Sequence, residues 1–145
     1  GINDPIFNGM DERQFCLQWH YVKVTELPKN SLVLASSSLC EVQAMKVGHC
    51  AWSMQYHLEV EPDTIKNWIS DQDYRDSLEE SLGKGSLDVI KKKATLLMPK
   101  LNKNCTKIFS NENGETLILI CGTLILKKFS ASFSKDKFVI CASSL

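Results

Sequence analysis

Several things are missing from this sequence, and each absence narrows what the chain can do. There is no excess of charge of one sign: 17 Lys and Arg face 17 Asp and Glu over 145 residues. A neutral, sign-mixed chain offers neither a nucleic-acid surface nor an acidic tail. Six cysteines occur, Cys16, Cys40, Cys50, Cys105, Cys121 and Cys141, and no two form a C-x-x-C pair. That disfavours a zinc knuckle or a thioredoxin-type motif, so no metal is expected. The longest apolar run, Leu117 to Leu126, falls far short of the roughly 20 residues a spanning helix needs, so no membrane partner is expected. No internal repeat or low-complexity tract is present. The chain does not open on Met and carries no basic-then-apolar leader. The expectation is a fragment or a processed start, in a reduced, cytoplasmic compartment.

What is present suits one small domain or part of a larger one, with 43% apolar residues to build a core. Gly1 to Met10 reads as a loop in which Ile6 and Phe7 can tuck against the body. Phe15 to Val24 alternates apolar and polar residues as a strand does. Leu32 to Ser36, Val42 to Val47 and Ala51 to His57 read as three more strands. Turns fall at Leu27-Pro28-Lys29-Asn30, Ser36-Ser37-Ser38 and Gly48-His49. This is a β-meander, or part of a sheet completed from elsewhere. The pattern then switches. Pro62 to Ile69 reads as a short helix with Pro in its first turn. Asp71 to Leu82 reads as a second helix, ended by Gly83 and Gly85. Ser86 is placed to cap a third, whose stripe is Leu87, Ile90, Ala94, Leu97, Leu101, Cys105 and Ile108. Pro99 should kink or split it, and Lys91-Lys92-Lys93 reads as a solvated face. After Asn111 the chain is β-prone again, over Thr116 to Phe129 and Phe138 to Ala142.

The central stretch is Gln55-Tyr56-His57-Leu58-Glu59-Val60, a strand ending in His-x-Glu just before a helix. Two residues apart on a strand, His57 and Glu59 would project from the same face. Upstream lie Trp19-His20, Glu26-Leu27-Pro28 and Leu34-Ala35-Ser36-Ser37. Taken in order, these landmarks resemble the class I glutamine amidotransferases, especially GMP-synthase-like and stand-alone members with their Q-F-H-P-E pattern. The likeness runs from about Asp4 to about Phe109 and corresponds to the C-terminal half of a family domain.

The resemblance implies a fold, an activity and a site. The fold would be an incomplete α/β, flavodoxin-like domain over residues 1–110: a β-meander, then helices, then a β-prone tail of unknown role over 111–145. The activity would be hydrolysis of a glutamine amide, or of a γ-glutamyl bond, with no cofactor. A synthetase partner that receives ammonia is possible in this family but not identified by the residues. Catalysis would need a cysteine thiolate, with His57 as base and Glu59 as its orienting carboxylate. Trp19 and His20 would line the substrate pocket. The family's nucleophile stands in a G-x-C-x-G turn, and none of the six cysteines does. Cys121 comes nearest, before Gly122, but it lacks the first glycine and follows His57. Leu58 stands where the family has Pro. The expectation is therefore a truncated, inactive chain whose nucleophile lies outside it. The alternatives are a pseudoenzyme or fragment with a binding role, and a γ-glutamyl peptidase-like hydrolase in a longer form.

Overall fold

Period-two patterning in the first sixty residues becomes strands, and three-to-four spacing after Pro62 becomes helices. The computed structural model describes residues 1, 3–20, 22–49, 51–57, 60–111, 117–120, 132–134 and 143–144. Its strands are β1 (Phe15–Gln18), β2 (Lys23–Glu26), β3 (Ser31–Ser37), β4 (Cys40–Val47), β5 (Ala51–Met54) and β6 (Tyr56–His57). The helices α1 (Thr64–Trp68), α2 (Gln72–Leu82) and α3 (Ser86–Ser110) follow, and then β7 (Leu117–Ile120), β8 (Ser132–Ser134) and β9 (Ser143–Ser144). The fold is mixed α/β, with mainly antiparallel strands followed by helices.

Strands β3, β4 and β5 form an antiparallel meander, with Leu32 opposite Lys46 and Met45 opposite Ser53. β7 lies parallel to β5, Trp52 opposite Ile118. β1 is not a member of this sheet. It pairs antiparallel with β6, Leu17 opposite His57 and Gln18 opposite Tyr56, and β9 lies on its other side. β2 pairs with β8. The sequence pattern therefore needs two corrections. Phe15 to Val24 is not one strand, because the ladder stops at Gln18 and resumes at Lys23. Ala51 to His57 is broken at Gln55, whose N–H turns to the Gln43 carbonyl at 2.8 Å and whose side-chain amide reaches the Val22 carbonyl at 2.8 Å. That bend sends Tyr56 and His57 to β1 instead of continuing alongside β4. Residues 121–131 and 135–142 lie outside the described residues, and so does the whole second β-prone run, Phe138 to Ala142.

Two apolar clusters lie on either side of β1. Leu17, Trp19, Val60, Ile65, Ile69, Leu78, Ala94 and Leu101 pack beneath the helices. Ile6, Phe7, Cys16, Leu34, Ala44, Trp52, Met54, Tyr56 and Ile108 pack on the other side. Ile6 and Phe7 do tuck inward, on a 3-10 turn, Pro5–Phe7. Asp4 anchors that turn. Its carboxylate accepts from the Ile6 N–H at 3.1 Å and the Trp52 indole N–H at 2.8 Å, and it lies 3.5 Å from the Lys46 ammonium.

The helix signals hold at α2. Asp71 caps it by accepting from the Asp73 N–H, and Gly83 ends it at φ 91°. They hold less well at α3. Ser86 is its first residue, but its hydroxyl makes no cap bond, and the helix runs unbroken through Pro99. Pro inside a helix costs on the order of 3 kcal/mol. Burial of Leu101 and Ile108 beyond it offsets that cost, and the Asn111 amide donates to the Ile6 and Asn8 carbonyls. Among the described residues no helix is long and apolar enough to cross a membrane.

Candidate functional site

The β1–β6 pairing brings together residues far apart in sequence. His57 ends β6, half-buried, directly across from Leu17. Residues opposite each other in an antiparallel pair share a face, so the imidazole lies on the helix-covered side. Its Nε2 is 3.3 Å from the Trp19 carbonyl oxygen. In the neutral tautomer that donates this bond, Nδ1 is the basic nitrogen. The ring leans on Trp68 of α1, with centroids 4.6 Å apart at 60°. Trp68 meets Trp19 edge-on at 5.0 Å, and Trp19 meets Tyr74 of α2 edge-on at 6.0 Å. His57 therefore stands at the rim of an aromatic cluster that joins β1, α1 and α2.

His20 is in a different setting. Only 5% of it is exposed. Its Nδ1 lies 2.7 Å from the Val22 carbonyl, the oxygen that also accepts from the Gln55 amide. Burial holds its pKa below the ordinary histidine value; the Val22 bond opposes this in part, and the nearby His57 adds to it. The ring is thus neutral near pH 7, donating from Nδ1. Its Nε2 is buried with no hydrogen-bond partner among the described residues.

Around that carbonyl lies a buried polar group that pattern reading did not single out. The Gln55 amide oxygen accepts from the Cys40 thiol at 3.4 Å. Ser37 Oγ accepts from the Cys40 N–H at 3.2 Å and the Gln43 amide at 3.0 Å. Gln18 is fully buried with neither end of its amide partnered among the described residues. One signal was available: strict alternation from Phe15 puts Gln18 on the same face as Cys16, which is an inward face.

Of the four residues the sequence pointed to, three come together. His57 touches the Trp19 backbone, and His20 is close enough to His57 for their charges to interact. The Trp19 and His20 side chains are buried, not open to solvent. Glu59, Leu58 and Cys121 lie outside the described residues. No family model, curated protein or solved structure matches the chain.

The cysteines bear on what the site can do. Burial pushes the Cys16 thiol up to about 12 and raises that of Cys40 as well. A nucleophilic cysteine needs the opposite shift. Among the described residues no three His, Cys, Asp or Glu side chains gather as a metal site.

Proposed function

We propose that this chain is part of a class I glutamine amidotransferase-like, flavodoxin-like domain in which His57 and Glu59 are the base and orienting carboxylate of a Cys-His-Glu triad. One observation carries the reading: the strand leading to Trp19-His20 and the strand ending in Gln55-Tyr56-His57 are hydrogen-bonded neighbours, with the His57 ring against the Trp19 carbonyl. The two landmarks of the resemblance thus converge on one place. In the proposed reaction a thiolate attacks the glutamine amide carbon. The imidazolium of His57 hands its proton to the departing ammonia, and water, deprotonated by His57, cleaves the thioester to glutamate. In the triad Glu59 would accept from one ring nitrogen and leave the other as the base, so the contact of Nε2 with the Trp19 carbonyl belongs to the resting ring, and Trp19 and His20 would line the pocket as the resemblance implies.

The thiolate has to come from sequence other than these 145 residues. None of the six cysteines stands in a G-x-C-x-G turn, and the Cys16 and Cys40 thiols are held protonated by burial. On this reading the chain alone is inactive, and a binding or pseudoenzyme role is the second reading that these thiols favour. The decisive experiment has two arms. The 145-residue chain should release no ammonia from glutamine. The extended transcript should encode an in-frame G-x-C-x-G upstream, and its product should lose glutaminase activity on His57→Ala. An extended product that has the motif but keeps full activity without His57 would sink the triad assignment. An extended transcript with no such motif would leave the pseudoenzyme reading standing.

A further inference from the structure

A groove of about 540 Å³ lies between the C-terminal half of α3 and the segment from Gly9 to Phe15. This volume falls in the range of small-molecule sites, about 300–1,000 Å³. Hydrogen bonds tie its two walls together. The Asn104 amide donates to the Phe15 carbonyl at 3.3 Å, and the Asn111 amide donates to the Asn8 carbonyl at 2.9 Å. The lining is strongly one-signed. Arg13, Lys100, Lys103 and Lys107 face a single carboxylate, Asp11, in a chain whose charges sum to zero.

Two of these cations reach across to the opposite wall. The Lys100 ammonium lies 4.9 Å from the centre of the Phe15 ring. The end of the Lys107 side chain rests on Gly9, where an added Cβ would lie 3.0 Å from both Cε and Nζ. Lys103 falls between them, and spacings of three and four put all three on one face of α3. Arg13 comes from the opposite wall. None of Arg13, Lys103 and Lys107 has an ion-pair or hydrogen-bond partner among the described residues.

Nearby acids do not neutralise the row. From Lys100 to Ser110 the helix sequence holds no Asp or Glu, its one acid being Asp88. Glu12 is exposed and not part of the lining. The negative end of the helix dipole accounts for Lys107, in the last turn. It does not account for Lys100, two turns earlier, or for Arg13 on the facing segment. The length of the row selects the ligand. Lys100 and Lys107 are rooted about 10 Å apart along the helix axis. A single small anion would meet one or two of these charges, whereas a chain of linked phosphates can meet them all. Lysine suits phosphate oxygens as a point charge that needs no fixed approach. A duplex or a membrane would call for a broad basic face, and this is a concave patch on a neutral chain.

We propose that this groove binds the oligophosphate group of a small molecule, two or three linked phosphates set against Arg13, Lys100, Lys103 and Lys107.

The test is calorimetric titration of the 145-residue chain with inorganic tripolyphosphate, with inorganic monophosphate as the short control. The expected result is saturable one-to-one binding, at least about tenfold weaker for monophosphate. The double variant K103Q/K107Q should weaken tripolyphosphate by a similar factor without changing the far-ultraviolet circular dichroism spectrum. Arg13→Gln, on the other wall, should weaken it several-fold. K91Q/K92Q removes the same charge from the same helix outside the groove, and should change affinity by less than about twofold. Absence of saturable binding, equal affinity for monophosphate, or an equal loss in K91Q/K92Q would each overturn the proposal. Tighter binding of a nucleic-acid duplex than of tripolyphosphate, growing with duplex length, would overturn it in favour of a nucleic-acid surface.

Discussion

On one face of β1, Leu17 and Trp19 meet Val60, Ile65, Ile69 and Leu78 in an apolar and aromatic layer under the helices. On the other, Cys16 and Gln18 meet Tyr56, and His20, Gln43 and Gln55 are buried nearby in a group held by hydrogen bonds. The helix-covered face depends on filled volume. The other depends on polar atoms finding partners, and Gln18 has none among the described residues. The contrast also separates the two histidines. His57 is half-buried at the rim of the first face. His20 is held neutral in the second.

The contrast can be broken most directly at Leu78, fully buried beneath the helices. Leu78→Ala should lower unfolding free energy by about 3 kcal/mol in urea titrations, because it leaves a cavity. A loss under about 1 kcal/mol would mean the helix-covered face is not packed as described. The polar face should yield less. Gln55→Leu removes one of two donors to the Val22 carbonyl and the acceptor of the Cys40 thiol, at a cost of about 1–2 kcal/mol. Because Gln55 and His20 share that acceptor, Gln55→Leu and His20→Leu should be non-additive by roughly 0.5 kcal/mol or more in a double-mutant cycle.

A third test uses pH. The folded pKa of His20 is below its ordinary value of 6.5, so below that pH the unfolded chain binds more protons than the folded one. Stability from this group is present above about pH 6.5 and declines as pH falls toward the folded pKa. The urea midpoint should therefore drop more between pH 7.5 and 5.5 in the parent than in His20→Gln. Equal drops would remove His20 from the account. The smallest effect is kinetic. Cys105, only partly buried, should be alkylated by iodoacetamide before Cys16 and Cys40, as peptide mapping would show.

Local chemistry was easy to read in the sequence. The turns at Lys29-Asn30 and Gly48-His49, the α2 span, the Gly83 stop and the α3 stripe all came from neighbours a few residues apart. Partner choice was harder. Nothing near Phe15 says that its strand pairs with Tyr56-His57 and not with the next strand, because that choice depends on the bend at Gln55, nearly forty residues away. Ser86 looked like a cap from its position, but its hydroxyl is buried and makes no cap bond among the described residues. The helix continues past Pro99 because tertiary burial outweighs a local penalty, which no local pattern expresses. For the candidate site, the order of landmarks was legible but their adjacency was not. Contact between Trp19 and His57 is a property of the sheet, not of either motif.

The Asp4 carboxylate bears on where this polypeptide can be cut. It holds the Ile6 amide, the Trp52 indole and the Lys46 ammonium, and Lys46 also sits 4.6 Å above the Trp52 ring. Proteolytic trimming past residue 4 would leave an indole N–H buried without an acceptor and a lysine without its counter-ion, and would unseat Ile6 and Phe7 from beneath the sheet. The first residues are therefore a fastening, and a workable truncation spares Asp4.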